Sequence, residues 1–188
     1  MKRKLSVFNQ ISLDGYFCGE NGDLSWAHKH SDDKEWNDFV SGNASGGGVL
    51  VFGRITYEMM AGYWPSKLAM ENDPIVAGQM NKLQKIVFSK KMKKAEWQNT
   101  LLINGNIVDE VKKLKSMPGD DMVILGSGSI VSQLTDAGLI DEYQIIINPI
   151  VLGKGRSMFE GVTNSPKLSL RDTRQFKNGN ILMNYVTA

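Results

Sequence analysis

Three short stretches combine small residues with hydroxyls or cations: Gly53-Arg54-Ile55-Thr56, Ser89-Lys90-Lys91 and Gly126-Ser127-Gly128-Ser129-Ile130. Each follows an apolar run, and the first and third lead straight into an apolar-periodic segment. A helix N-terminus leaves N–H groups unpaired and carries about half a positive charge, so it attracts anions. Glycine lets an anion approach the backbone, and a hydroxyl or ammonium adds a donor. Taken alone, Gly126-Ser127-Gly128 is either a phosphate-binding turn or a small-residue connector. It lacks the third glycine of the dinucleotide fingerprint, because Val131 stands there, and Asn148-Pro149 replaces an acidic residue at the end of the next strand. Arg54 opposes the helix dipole unless an anion compensates it; otherwise Thr56 caps the helix and Arg54 is simply exposed.

The order of elements decides whether these corners meet. Leu5, Val7, Asn9 and Ile11 alternate with Ser6, Phe8 and Gln10, which reads as a mostly buried strand. Ser12 to Tyr16 turns around Asp14-Gly15. Ser31 or Asp32 caps a helix with Trp36, Phe39 and Val40 on one face. The triple glycine at 46–48 precedes a strand and is a connector. A helix follows from Arg54 to Gly62, and another starts near Pro74. Strands at 85–89, 100–103, 122–125 and 143–148 enclose helices around Val111 and Leu134. Two closing strands, 168–176 and 181–186, flank Asn178-Gly179, a strong hairpin signal.

This pattern predicts one α/β domain over residues 1–188, with a mostly parallel central sheet, helices on both faces and a C-terminal antiparallel hairpin. Ligands of such sheets lie at the carboxyl ends of the strands, where all three corners fall. Three anion-friendly corners on one edge predict a ligand with several phosphates. A dinucleotide with an extra phosphate fits, and basic Arg54 and Lys90 favour NADP over NAD.

Bulk composition narrows the class. The net charge of +2 singles out no partner, and the longest apolar runs are far too short to span a bilayer. The N-terminus has no apolar stretch of signal-peptide length. A lone cysteine, Cys18, fits a reducing compartment, so a cytoplasmic location is expected. Lys82, Lys85, Lys90, Lys91, Lys93 and Lys94 form either a solvated face or a local site for a phosphate-bearing ligand. Phe88 is the single aromatic among them, too few for a nucleic-acid stacking surface. His28 and His30 alternate and one cysteine cannot complete a zinc set, so no metal site is expected. Ser12, Ser127 and Ser129 have no obvious histidine base.

The order Ser-Leu-Asp-Gly-Tyr, Phe-Gly-Arg-x-Thr-Tyr-Glu, Val-Phe-Ser, Leu-Gly-Ser-Gly-Ser and Asn-Pro-Ile-Val-Leu-Gly-Lys-Gly resembles the dihydrofolate reductase fold superfamily from Leu5 to Val186. It is most similar to the RibD C-terminal type, the reductase domain of riboflavin biosynthesis, in a stand-alone bacterial form. The resemblance implies NADPH as cofactor and a dihydrofolate-reductase-like three-layer fold. It implies that Gly53, Arg54 and Thr56 form the adenosine-side phosphate turn, that Ser89 and Lys90 hold the 2′-phosphate, and that Gly126, Ser127, Gly128, Ser129 and Ile130 form the pyrophosphate turn. Gln10 and Ile11 match the strand end where backbone groups meet the nicotinamide. The implied chemistry is hydride transfer to a C=N or C=O carbon of a 5-amino-6-(5-phosphoribosylamino)uracil-type or pterin-like substrate. The alternative is a non-catalytic NADP(H)-binding sensor.

A proton donor should be an ordered water or a carboxylic acid with a raised pKa in an apolar pocket. Asp14 and Asp32 are the candidates. Asp14 alternatively bonds backbone N–H groups two residues on, and Asp32 alternatively caps the helix. Trp26 matches a tryptophan that precedes an acidic, pterin-facing residue in dihydrofolate reductases, and is the candidate substrate contact. The flanking prolines are absent here, and Asp32 stands one position late. The resemblance also implies a homodimer, with 143–152 and the closing hairpin as possible surfaces.

Overall fold

The computed structural model describes residues 3–27 and 32–188. In chain order the elements are β1 (Leu5–Ser12), β2 (Tyr16–Cys18), a single 3-10 turn (Glu20–Gly22), α1 (Lys34–Ser45), β3 (Val49–Gly53), α2 (Arg54–Tyr63), α3 (Lys67–Asn72), α4 (Pro74–Lys82), β4 (Gln84–Phe88) and β5 (Thr100–Ile103). Then come α5 (Ile107–Ser116), β6 (Met122–Leu125), α6 (Gly128–Asp136), β7 (Glu142–Asn148), β8 (Arg156–Ser157), β9 (Leu168–Gln175) and β10 (Ile181–Thr187).

Eight strands form one sheet in the order β5-β4-β3-β6-β1-β7-β10-β9. The first six are parallel, and β10 and β9 complete the edge in antiparallel register. Alternation along the strands feeds two faces. Leu5, Val7, Val49, Val51, Ile124 and Ile145 pack with α5 and α6 through Val111, Ile130, Val131 and Leu134. On the opposite face Leu50, Phe52 and Val87 pack with Tyr57 and Met60 of α2 and Met80 of α4. Beside them Ile146 and Leu182 meet Trp36 and Phe39 of α1 and Phe176. The result is three layers, helix–sheet–helix.

The caps explain the helix starts and correct one expectation. Asp33, not Ser31 or Asp32, caps α1: its carboxylate accepts from the N–H groups of Glu35 and Trp36 at 3.0 and 3.2 Å. Asp33 also accepts from Asn178 N at 3.0 Å, so the α1 cap is tied to the closing hairpin turn. Ser31, His28 and His30 lie outside the described residues.

The lysine run is not one solvated face. Lys82, Lys90, Lys91, Lys93 and Lys94 are exposed, but Lys85 is 1% exposed. Its ammonium donates to the carbonyls of Met80, Asn81 and Leu83 at 2.8, 3.2 and 2.7 Å and lies 4.4 Å from the Trp97 ring centre. It therefore closes the C-terminal end of α4, where carbonyls lack helical partners and a cation is favoured. No helix among the described residues is long and apolar enough to cross a membrane.

Candidate functional site: a cleft at the strand ends

Strands β3 and β6 are neighbours, yet α2 leaves β3 toward one face and α6 leaves β6 toward the other. Two adjacent strands that send their helices to opposite faces open a crevice beyond their carboxyl ends. A cleft of about 990 Å³ lies there, lined by the starts of α2, α5 and α6, by Phe88 to Lys91 at the end of β4 and just beyond it, and by the β2–β8 region. A more open groove of about 880 Å³ lies between α2, α4 and the 92–98 segment. Among the described residues no helix N-terminus lines that second groove, so the anion argument belongs to the strand-end cleft.

The three helix starts differ. Asn106 caps α5 by accepting from Val108 N and Asp109 N, and Asp109 and Glu110 occupy its first turn. The positive end of α5 is thus already answered within the chain. Helices α2 and α6 have neither a side-chain cap nor an acid in the first turn. Their dipoles and first-turn amides face the cleft without a built-in anion.

A hydrogen-bonded knot joins these two starts. Thr56 Oγ1 accepts from Ser127 N at 3.1 Å, and Ser127 Oγ accepts from Gly53 N at 2.9 Å. Ser127 Oγ also donates to Leu125 O at 3.3 Å, so both ends of that hydroxyl serve the corner itself. Ile130 N bonds back to Ser127 O. Of the expected pyrophosphate turn, this leaves the Gly128 and Ser129 amides to meet a ligand. Thr56 keeps its hydroxyl proton. Gly126 does not line the cleft: its N–H is taken by Asn9, and a Cβ there would lie 3.0 Å from the Thr56 methyl. Gly128 has a packing role too, since a Cβ would fall 2.7 Å from the Phe17 ring edge.

Arg54 is paired rather than uncompensated. Its guanidinium lies 2.7 Å from Glu58 one turn along; Arg54 is half-buried and Glu58 is exposed. Such a pair is worth a few tenths of a kcal/mol, so an incoming anion can compete for the arginine. Ser89 shapes its own turn, accepting from Lys91 N and Met92 N at 3.1 and 3.0 Å, and Lys90 and Lys91 project from that turn with exposed side chains.

Gln10 and Ile11 lie at the end of β1, outside the cleft wall, beside Asn148, whose amide donates to Gln10 Oε1 and Ile11 O at 3.2 and 3.3 Å. Three further expectations change. Asp14 bonds its own turn through the Ser12 hydroxyl rather than through backbone N–H groups two residues on, and it reaches beyond the turn as well. It accepts from Ser12 Oγ at 2.6 Å and from the N–H groups of Leu152 and Gly153 at 3.1 and 2.7 Å. The Ser12 hydroxyl first, then those backbone donors, hold its carboxyl below the ordinary carboxylate range, the reverse of what a proton donor needs. Trp26 is 7% exposed and its indole donates to Asp23 O at 3.2 Å, so it is a packed residue that does not line the cleft. Asp32 is exposed and does not line the cleft.

Sequence reasoning missed the second wall. Phe17, Cys18 and Glu20 face Lys154 to Arg156 across it, Lys154 and Glu20 pair at 3.0 Å, and Tyr16–Cys18 pairs with Arg156–Ser157. A two-residue strand carries no periodicity, so only the Gly153-Lys-Gly155 turn signal was available. Among the described residues no group of three or more His, Cys, Asp or Glu is placed to hold a metal ion.

The chain is 28% identical to the Bacillus subtilis (strain 168) protein YyaP over 184 residues, 98% of this chain and 95% of that one. A putative riboflavin biosynthesis protein from Shewanella sp. PV-4 superposes with TM-score 0.77 at 24% identity, covering 100% and 99% of the two chains. A dihydrofolate reductase from Enterococcus faecalis, solved with NADP(H), superposes with TM-score 0.65 at 16% identity, covering 100% and 99%. These likenesses show a dihydrofolate-reductase-like fold. The family model described as the RibD C-terminal domain matches residues 3–182, and the protein belongs to that family.

Proposed function

We propose that this protein is an NADPH-dependent reductase acting on a C=N or C=O group of a small pyrimidine- or pterin-like molecule, of the 5-amino-6-(5-phosphoribosylamino)uracil or pterin class. The carrying observation is that two uncapped helix starts and a lysine-bearing turn converge on one switch-point cleft. Family membership and the NADP(H) complex of a fold neighbour support the same reading. The first-turn amides of α2, the Thr56 hydroxyl and the Gly128 and Ser129 amides suit the bridging phosphates. Arg54, Ser89, Lys90 and Lys91 suit the additional one. Bound there, the nicotinamide would supply the hydride. The chain's own work is then to hold both partners in register and to exclude water.

Among the described residues, Glu20 is the single carboxylate on the cleft wall, and it is exposed and paired with Lys154. Solvent water is therefore the proposed proton source. The same observation favours a second reading, a non-catalytic NADP(H) sensor. NADPH oxidation measured over a panel of imines, pterins and ribosylaminopyrimidines separates the two. Turnover with any of them rejects the sensor.

Saturation with NADPH at about a hundred times Kd is expected to stabilise the fold by about 2.7 kcal/mol, raising Tm by roughly 5–10 °C. Lys90→Ala should weaken NADPH about fivefold and leave NADH nearly unchanged, as titration calorimetry would show. Loss of both ligands alike would place the lysine outside any 2′-phosphate site.

We infer further that the chain pairs with a second copy through the β9–β10 face. Leu168, Leu170 and Ile181 are exposed on the side that carries Met183 and Tyr185. Sedimentation should give a dimer for the native chain and a monomer for Leu170→Lys. A native monomer would end this proposal.

A further inference from the structure

We propose that Asn9 is the positioning residue of the phosphate corner. Its side-chain amide holds the reversal at Gly126-Ser127 in the shape that presents the Gly128 and Ser129 amides to an anion. This rests on the nucleotide reading above and adds a residue that lies outside the cleft wall.

Asn9 follows Leu5 and Val7 on the inward face of β1, at a position where an apolar side chain would ordinarily sit. It is 6% exposed. A buried amide is unfavourable unless its donors and acceptor are paired. Its Oδ1 accepts from Gly126 N at 2.6 Å, and its Nδ2 donates to Gly126 O at 3.1 Å and to Met158 Sδ at 3.1 Å. Both polar ends of one residue are thus gripped by one side chain. The network fixes the amide orientation, because the flipped amide would face the Gly126 N–H with another donor.

The gripped residue is the first of two left-handed ones. Gly126 has φ +60°, and Ser127 has φ +60° and ψ +54°. Left-handed backbone is unfavourable for any L residue with a side chain, so Ser127 needs external support. Thr56 and the Ser127 hydroxyl tie Ser127 to the start of α2. Asn9 ties Gly126 to the centre of the sheet. Without it, the chain entering α6 loses the anchor that sets the direction of the next two amides. The fraction of molecules with a competent corner falls, and the apparent Kd rises by the inverse of that fraction.

The test measures Kd for NADPH, NADH and inorganic pyrophosphate with the native chain, Asn9→Leu and a control, Phe176→Leu. Phe176 is 1% exposed and packs with Trp36 on the opposite face of the sheet, so its loss destabilises the fold without touching the corner. All titrations are run well below each variant's Tm. The expected result is that Asn9→Leu weakens all three ligands by a common factor of about ten or more, while Phe176→Leu leaves them near native values. Native affinities in Asn9→Leu would overturn the proposal. So would an equal loss in the control, or a loss confined to NADPH. Should Asn9→Leu fail to fold, Asn9→Thr, which keeps one hydrogen-bonding group, is read against the same criteria. A native chain that binds pyrophosphate but not NADPH would end the NADPH reading and leave Asn9 to be judged on pyrophosphate. A native chain that binds neither would overturn both.

Discussion

Gly155→Ala is expected to destabilise the protein by about 3 kcal/mol or more and to open the cleft. Gly155 has φ +152°, and a Cβ on it would lie 2.2 Å from the carbonyl oxygen of Cys18 and 3.1 Å from Gly19 Cα. Every colliding atom is backbone, so no side-chain rotation relieves the clash. The two chain segments must separate, which breaks the pairing of Tyr16–Cys18 with Arg156–Ser157. Phe17, held by that pairing against Gly128, then loses its seat at the start of α6. A thermal melt should show a loss of roughly 6–12 °C, with NADPH affinity reduced as well. Gly22→Ala is the matched control. Gly22 also has positive φ, +81°, but nothing among the described residues lies within 4 Å of its added Cβ. Its cost should stay near 1 kcal/mol, the conformational penalty alone. Equal losses at the two positions would show that close approach of the two segments is not what Gly155 provides.

Lys85→Met should cost about 2–4 kcal/mol, because it leaves the carbonyls of Met80, Asn81 and Leu83 without their donor in a buried setting. The size of this effect should depend on pH in a definite direction. Burial lowers the Lys85 ammonium from 10.5 to about 8. Below about pH 8, folded and unfolded chains both hold the proton, and the penalty for burying the charge is fully present. Between about 8 and 10.5 the folded chain has released the proton while the unfolded chain still binds it. Native stability therefore rises with pH across that window, by at most ~1.4 kcal/mol per unit. The variant lacks this contribution, so the gap between native and Lys85→Met should widen from pH 8 toward 10.5. Urea titrations at several pH values would measure it. A gap that stays constant would mean that Lys85 titrates alike in both states.

The parallel α/β core was legible because its signals are local. Thr100–Ile103 and Met122–Leu125 are short apolar runs bounded by turn residues, and they form strands β5 and β6 with those limits. Asn178-Gly179 marked the closing hairpin, and Gly179 adopts φ +88° there. Helix α3, over Lys67–Asn72, was not anticipated, since six residues give too little periodicity. Asp33 replaced its neighbours as the α1 cap because the choice is made by Asn178 N, 145 residues away in sequence. Lys85 looked like part of a charged surface because adjacent lysines set that expectation. Its burial comes from strand alternation, which turns it toward Trp97 and the end of α4.

The site divides along the same line. Residue types alone determined that three corners at strand ends favour anions, since glycine, hydroxyl and ammonium chemistry is local to each corner. Tertiary structure decided which groups remain for a ligand. Pairing with distant Asn9 and Thr56 removes the Gly126 and Ser127 amides from that set, a local bond to Ser127 O removes that of Ile130, and those of Gly128 and Ser129 are left; distant pairing also turns Asp14 into a clamp on the Leu152–Gly153 backbone. Hydrogen-bond partners 70 to 140 residues apart are chosen by sheet order and helix direction, and no window of sequence contains that information.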